Sequence, residues 1–112
     1  MQHIIGLAER LGRAIAESPQ AVKLRDARKA ADAEPDLAKT LKDFREHSEK
    51  LARLDAQQKP IEVGDKHKLQ ELHGKLAGSE TFKKLTAAQV DYVDLLRKVN
   101  EAMQRSLAAA EK

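Results

Sequence analysis

The same pattern occurs in LGRAIAESPQAVKLRDA (residues 11–27) and again in LHGKLAGSETFKKLTAA (residues 72–88). The two stretches share six identical positions at an offset of 61 residues. In each, apolar residues at helical spacing lead to a serine, Ser18 or Ser79, and further apolar residues follow it. A serine at a helix start can accept a hydrogen bond from a backbone N–H that has no partner within the helix. Each copy of the pattern therefore predicts a helix, a serine cap and a second helix. The pattern indicates a fold and does not indicate a catalytic or binding site.

Apolar spacing on either side of this pattern predicts an all-α protein. Pro19 and Pro35 suit the first turn of a helix, and Pro60 with Gly64 indicates the main loop. Gly78 is predicted to close the fourth helix. The expected elements are helices over residues 2–17, 19–33, 36–58, 66–77 and 80–111, with a loop over residues 59–65. A chain of 112 residues is expected to form a single helical domain, built as an antiparallel hairpin or bundle.

The last predicted helix is longer than a domain of this size. About 30 residues at ~1.5 Å each span about 45 Å, whereas the radius of gyration of such a domain is only about 13 Å. The apolar stripe nevertheless continues from Phe82 to Leu107. A second copy, paired about a twofold axis, would cover the far end of the stripe on both chains. We therefore predict a homodimer of helical hairpins, with an interface formed by Phe82, Leu85, Tyr92, Leu96, Val99 and Met103.

The composition excludes several classes of site. No cysteine is present, which excludes disulfides, thiolate nucleophiles, cysteine-ligated zinc and iron–sulfur ligation by this chain. The aromatic residues are Phe44, Phe82 and Tyr92, so the core is expected to consist of Leu, Ala, Ile and Val. The N-terminus reaches Glu9 after too few apolar residues for a signal peptide or a membrane span. We therefore expect a cytoplasmic protein.

The charge balance is slightly basic. Twenty-one Lys and Arg residues face 18 Asp and Glu residues, giving a net charge of +3 and a pI near 9.2. A basic protein can bind RNA, DNA or an acidic partner, but here the cations form no long run and no aromatic residues lie among them. Acidic residues also interrupt the cationic band that a membrane-surface helix would need. A solvated helix surface is the favoured interpretation.

Few residues form a grouping that suggests catalysis or metal binding. Asp43 and His47 lie four residues apart and can share a helix face, but the Glu-x-x-His pairs of a di-iron bundle are absent from the sequence. His67 and His73 are predicted to be surface residues. The glycines do not have the spacing of a phosphate-binding loop. We predict no catalytic residue, no metal site and no cofactor, and hence a protein that is not an enzyme.

Gly12 has a structural interpretation. It lies inside the first predicted helix, beside Ala8 and Ile15. A glycine at such a position permits close approach of another backbone. We therefore predict that a second helix packs closely against the first one at Gly12.

The chain as a whole resembles the YlbF/YmcA family. The residues that carry the resemblance, by their order and spacing, are Ile4, Ile5, Ala8, Leu11, Gly12, Ile15, Ser18, Leu24, Ala27, Pro35, Leu41 and Phe44, followed by Leu72, Leu76, Ser79, Phe82, Ala88, Leu95, Leu96 and Asn100. The resemblance implies a small, all-helical, dimeric, cytoplasmic bacterial protein that is not an enzyme. It further implies a link to competence, sporulation and biofilm formation, through a complex that influences RNA processing by ribonuclease Y.

Some members of this family take part in binding iron–sulfur clusters, and here the present sequence departs from them. A chain without cysteine supplies no thiolate ligand, so that role is not carried over and membership of the same complex stays open. Two functions are therefore compatible with the sequence. The first is a regulator or adaptor that binds other proteins through its paired helices. The alternative is a basic helical protein that binds RNA or DNA, whose affinity would fall steeply with salt.

Overall fold

The computed structural model describes residues 1–111 and contains five α-helices in that range. They are α1 (Gln2–Ala16), α2 (Pro19–Asp32), α3 (Pro35–Ala56), α4 (Val63–Ala77) and α5 (Glu80–Ala110). No β-strand occurs within residues 1–111, and the all-α prediction is confirmed. α5, with 31 residues, is the longest of the five, also as predicted.

The connection between α3 and α4 is shorter than predicted. The expected loop over residues 59–65 is wrong at both ends, because α3 already ends at Ala56 and α4 begins at Val63 and includes Gly64. Glu62 precedes the helix in an extended conformation, and its carbonyl accepts a hydrogen bond from the N–H of Asp65 at 3.1 Å. The acidic side chain of Asp65 in the first turn favours this start, because it lies near the positive end of the helix dipole.

α3 ends in a Schellman motif that has a glutamine at the left-handed position. Gln58 has a φ of 57°. The N–H of Lys59 donates to the carbonyl of Leu54 at 2.8 Å, and the N–H of Gln58 donates to the carbonyl of Asp55 at 3.0 Å. These two bonds satisfy carbonyls that the helix itself leaves free. Because the left-handed conformation costs a residue with a Cβ about 1–2 kcal/mol, the hydrogen bonds must stabilise this turn against the preference of Gln58.

Contacts divide the chain into two compact units. Unit 1 comprises Met1–Arg28 and the chain from Leu85 onward, and unit 2 comprises Lys29–Lys84. The boundaries fall inside α2 and α5. The buried residues of unit 1 are Ala21, Leu24, Leu85 and Ala88. α1 also belongs to unit 1, yet it contributes no buried residue.

Unit 2 is built around the packing of α3 against α4. Its buried residues are Ala31, Leu37, Leu72 and Leu76. At the rim, the rings of Phe44 and His73 lie 6.2 Å apart. Near the start of α4, Nε2 of His47 donates to the carbonyl of Asp65 at 2.7 Å. Leu76 is 1% exposed and is the most deeply buried large side chain of the described residues, so it forms the centre of this small core.

The predicted close approach of another helix at Gly12 is not made by the described helices of the same chain. A Cβ placed on Gly12 would meet no atom within 4 Å outside the backbone of its own helix. Gly12 and Ala8 are exposed, whereas Ile15, one turn closer to the end of α1, is half-buried. α1 therefore meets the rest of unit 1 near its C-terminus, and Ala8 and Gly12 lie open.

Candidate interaction surface

Two side chains fix the junction between α1 and α2. The hydroxyl of Ser18 donates to the carbonyl of Ile15 at 2.6 Å and accepts a hydrogen bond from the N–H of Ala21 at 3.2 Å. Nη2 of Arg25 donates to the carbonyl of Ala16 at 2.9 Å. Two carbonyls near the end of α1 and one N–H at the start of α2 thus find partners, and the predicted cap at Ser18 is confirmed.

Ser79 performs the same function at the start of α5. Its hydroxyl oxygen accepts a hydrogen bond from the N–H of Phe82 at 3.1 Å. The repeated sequence pattern thus corresponds to two serine caps, each with a partner three residues further along the chain.

The apolar stripe of α5 becomes more exposed from the N-terminal to the C-terminal end of the helix. Leu85 is 7% exposed and belongs to the buried residues of unit 1, whereas Leu96 is 38% and Met103 48% exposed. Phe82, Tyr92 and Val99 are half-buried, and every residue from Asn100 to Ala110 is exposed. Of the six residues predicted to form an interface, Leu96 and Met103 therefore offer the most free apolar surface in a single chain.

α1 carries a second exposed apolar surface, which the sequence-based prediction of an interface did not include. Ile4 is 68% exposed, and Leu7 on the same face is 51% exposed. α1 also separates its apolar and polar faces more strongly than any of the other four helices. This strong separation of apolar and polar faces is visible in the sequence, and it could have indicated that α1 also belongs to an interface.

The face of α5 opposite the stripe is stabilised by its own ion pairs. Arg97 bridges Asp94 at 2.6 Å and Glu101 at 2.7 Å, and Lys98 contacts Asp94 at 3.0 Å. Hydrogen bonds from Lys98 and Arg97 lower the pKa of the Asp94 carboxyl below its usual value. The hydrogen bond to Asp94, together with Glu101, raises the pKa of Arg97. These pairs are solvent-exposed, as expected for a face that stays in water.

An open cleft of about 300 Å³ lies in unit 1. Arg25, Arg28 and Tyr92 line it, together with the apolar side chains of Ile15 and Leu24. Guanidinium and phenol groups donate hydrogen bonds to carboxylates, and Arg and Tyr are enriched in protein interfaces. The lining can therefore donate hydrogen bonds to a carboxylate.

The pair Asp43 and His47 lies in a different environment from that of a metal site. Both line a cleft of unit 2, but Nε2 of His47 donates to the carbonyl of Asp65. The carboxylate of Asp65 accepts a hydrogen bond from Nζ of Lys50 at 3.4 Å. Across residues 1–111 no group of three His, Cys, Asp or Glu side chains is placed to hold a metal ion. His47 thus connects α3 to the start of α4, and His73 is exposed, as predicted.

Comparisons with known proteins identify the family. None of the described helices is both long and apolar enough to cross a membrane. No curated protein matches the sequence. A family profile described as "Control of competence regulator ComK, YlbF/YmcA" matches residues 4–108, which include all five helices apart from the first two residues of α1 and the last two of α5. The chain therefore belongs to the YlbF/YmcA family of control-of-competence regulators.

Proposed function

We propose that this protein is a non-enzymatic cytoplasmic regulator that acts as a homodimer and binds other proteins. The exposed apolar stripe of α5 carries the proposal, because Leu96, Met103 and Leu107 lie free in a single chain. Full burial of such a side chain stabilises an assembly by about 1.5–3 kcal/mol. A family named for the control of competence supports a regulatory role.

In the proposed dimer, the α5 helices of two helical hairpins pair about a twofold axis. Such an axis places the same stripe of both chains face to face. Leu85 is already buried within its own chain, so the centre of the contact lies further along α5, at Leu96 and Met103. Phe82, Tyr92 and Val99, each half-buried in one chain, complete the predicted interface.

The proposed partner of the dimer is a component of the RNA-processing machinery, as the family resemblance implies. The cleft with Arg25, Arg28 and Tyr92 supports a protein partner with an acidic surface, because it combines cations with an apolar floor. The chain has no cysteine, so it would act in such a complex without an iron–sulfur cluster of its own.

The test measures which proteins, including a second copy of the chain, are recovered with the tagged protein. Tagged wild-type protein is cross-linked in its native cell, and co-purified proteins are identified by mass spectrometry alongside the variants Met103→Gln and Val90→Gln. Val90 is 62% exposed and lies on the opposite side of α5, so it is the matched control. We expect Met103→Gln to reduce the recovery of both the dimer and the RNA-processing proteins, and Val90→Gln to leave the recovery of both unchanged. Recovery that is equal in all three would refute the proposal.

One observation favours the alternative of a nucleic-acid-binding protein. Six cations of α1 and α2 form no ion pair with any carboxylate of residues 1–111: Arg10, Arg13, Lys23, Arg25, Arg28 and Lys29. Contacts to phosphate from such residues would make affinity fall steeply between about 50 and 200 mM salt. A filter-binding assay with single-stranded RNA tests this, and no retention at the lowest salt excludes it.

A further inference from the structure

In unit 1, the apolar side chains become more exposed toward the N-terminus of α1 and toward the C-terminus of α5. Along α1, the exposed fraction rises from a half-buried Ile15 to 51% at Leu7 and 68% at Ile4. Along α5, it rises from 7% at Leu85 to 60% at Leu107. α1 thus becomes more exposed toward its N-terminus, and α5 becomes more exposed toward its C-terminus. The N-terminal half of α1 and the C-terminal half of α5 each present an apolar face without a partner among residues 1–111.

α1 needs a partner more than α5 does. It has 15 residues, and an isolated helix of that length is marginally stable in water. α1 contributes no buried residue, so packing within its own chain supplies little of the missing stability. Burial of its apolar face must come from another surface if the helix is to persist.

We propose that the N-terminal half of α1 packs against the C-terminal half of α5 of a second copy of this chain. The inference rests on the proposed homodimer and adds α1 to its interface. A twofold axis makes the exchange reciprocal, so one contact covers both uncovered ends on both chains. Formation of α1 is then coupled to association.

The exposed area fits a second copy of this chain. Eight of the exposed apolar side chains of unit 1 lie on or beside the two faces: Ile4, Ile5, Leu7, Leu11, Val93, Leu96, Met103 and Leu107. From their exposed fractions, they present roughly 600 Å² per chain. A stable interface of standard size takes about 800 Å² from each partner, and neighbouring polar atoms supply the difference. α1 or α5 alone presents only about half of this apolar area.

The borders of the two faces are also compatible. On a helical wheel, Ala8, Gly12 and Ala14 flank the stripe of α1, and Asn100 and Ala102 flank the stripe of α5 beyond Val99. These residues carry no charge, so pairing the faces buries no unpaired ion. The absence of any atom near a Cβ at Gly12 leaves room there for the approach of another chain.

Association measurements on substituted chains test the contact. Dissociation constants are measured by sedimentation equilibrium for wild type, Leu7→Gln, Met103→Gln, the double variant and the control Val90→Gln. Each of the two interface changes acts twice in a homodimer and is expected to weaken association about 30-fold, whereas Val90→Gln has no effect. The double variant should fall short of the product of the single effects, because residues in contact are not additive.

The outcomes separate the inference from the proposed dimer. If Met103→Gln weakens association and Leu7→Gln does not, the dimer stands and the role of α1 is refuted. A wild-type chain that stays monomeric at every concentration refutes both. Fully multiplicative effects of Leu7→Gln and Met103→Gln also contradict a direct contact between these two residues.

Cross-linking decides the case if a variant fails to fold. The chain has no native cysteine, so the single variants Leu7→Cys and Met103→Cys each carry one reactive thiol. The two proteins are mixed, allowed to exchange, and treated with a short bismaleimide. We expect a cross-linked pair containing one chain of each kind. A double variant, Leu7→Cys with Met103→Cys, that cross-links only within a single chain would overturn the proposal.

Discussion

Truncation of Leu76 tests the core of unit 2 most sharply. The side chain is 1% exposed, so Leu76→Ala leaves a cavity that solvent does not fill. Leu→Ala changes at comparably buried sites cost about 2.7–5.0 kcal/mol, with the smaller values where neighbours can relax into the space. Unit 2 is small, and several of its leucines are only half-buried, so we expect a loss of about 3 kcal/mol.

Thermal unfolding followed by circular dichroism is the assay. For a chain of 112 residues, an unfolding entropy of about 2.1 cal/mol/K per residue converts this loss into a fall of about 13 °C in Tm. All proteins are compared at one concentration, because association shifts Tm. The control is Val90→Ala, at a 62% exposed position, which should leave Tm unchanged or raise it slightly. A loss below about 1 kcal/mol for Leu76→Ala would contradict a core centred on this residue.

Three further predictions concern local contacts. Ser18→Ala and Ser79→Ala should each lower the free energy of unfolding by about 1 kcal/mol, and substitution by Asp should restore it; equal stability of Ala and Ser in urea unfolding would argue against the caps. Gln58→Gly should raise the free energy of unfolding by about 0.5 kcal/mol, because glycine adopts the left-handed conformation without a steric penalty but loses more backbone entropy; a decrease contradicts the observed turn. The carboxyl of Asp94 should titrate below 3.8 in NMR, and Lys98→Gln should move its pKa upward. Because the folded pKa is lowered, the small stabilisation from this pair is present above the unfolded pKa and is lost as pH falls through the folded pKa.

Local sequence chemistry made much of the fold predictable. Ser18 and Ser79 each accept a hydrogen bond from an N–H only three residues further along the chain. Each cap and its partner are therefore visible within one short stretch of sequence. Pro35 at the first position of α3 acts equally locally. The same reasoning failed at Gly64, because a glycine near the start of a helix resembles a loop glycine in sequence.

Contacts between distant residues were not predictable in the same way. Leu85 and Leu107 are both leucines on one stripe, yet one is buried and the other is 60% exposed. The difference depends on which helices pack beside each leucine. The apolar periodicity of α5 carries no information about those neighbours. The bond from His47 to the carbonyl of Asp65 likewise joins residues 18 positions apart, so the sequence could show the pair Asp43 and His47 but not the partner of His47.

The mass of the wild-type protein in solution tests the central claim most directly. In the proposed dimer, the exposed stripe of α5, with Leu96 and Met103, is buried against a second copy of the chain. Sedimentation equilibrium at micromolar concentration should then give twice the chain mass of 12.5 kDa, with dissociation only on dilution. A single species of 12.5 kDa at every concentration measured would contradict it.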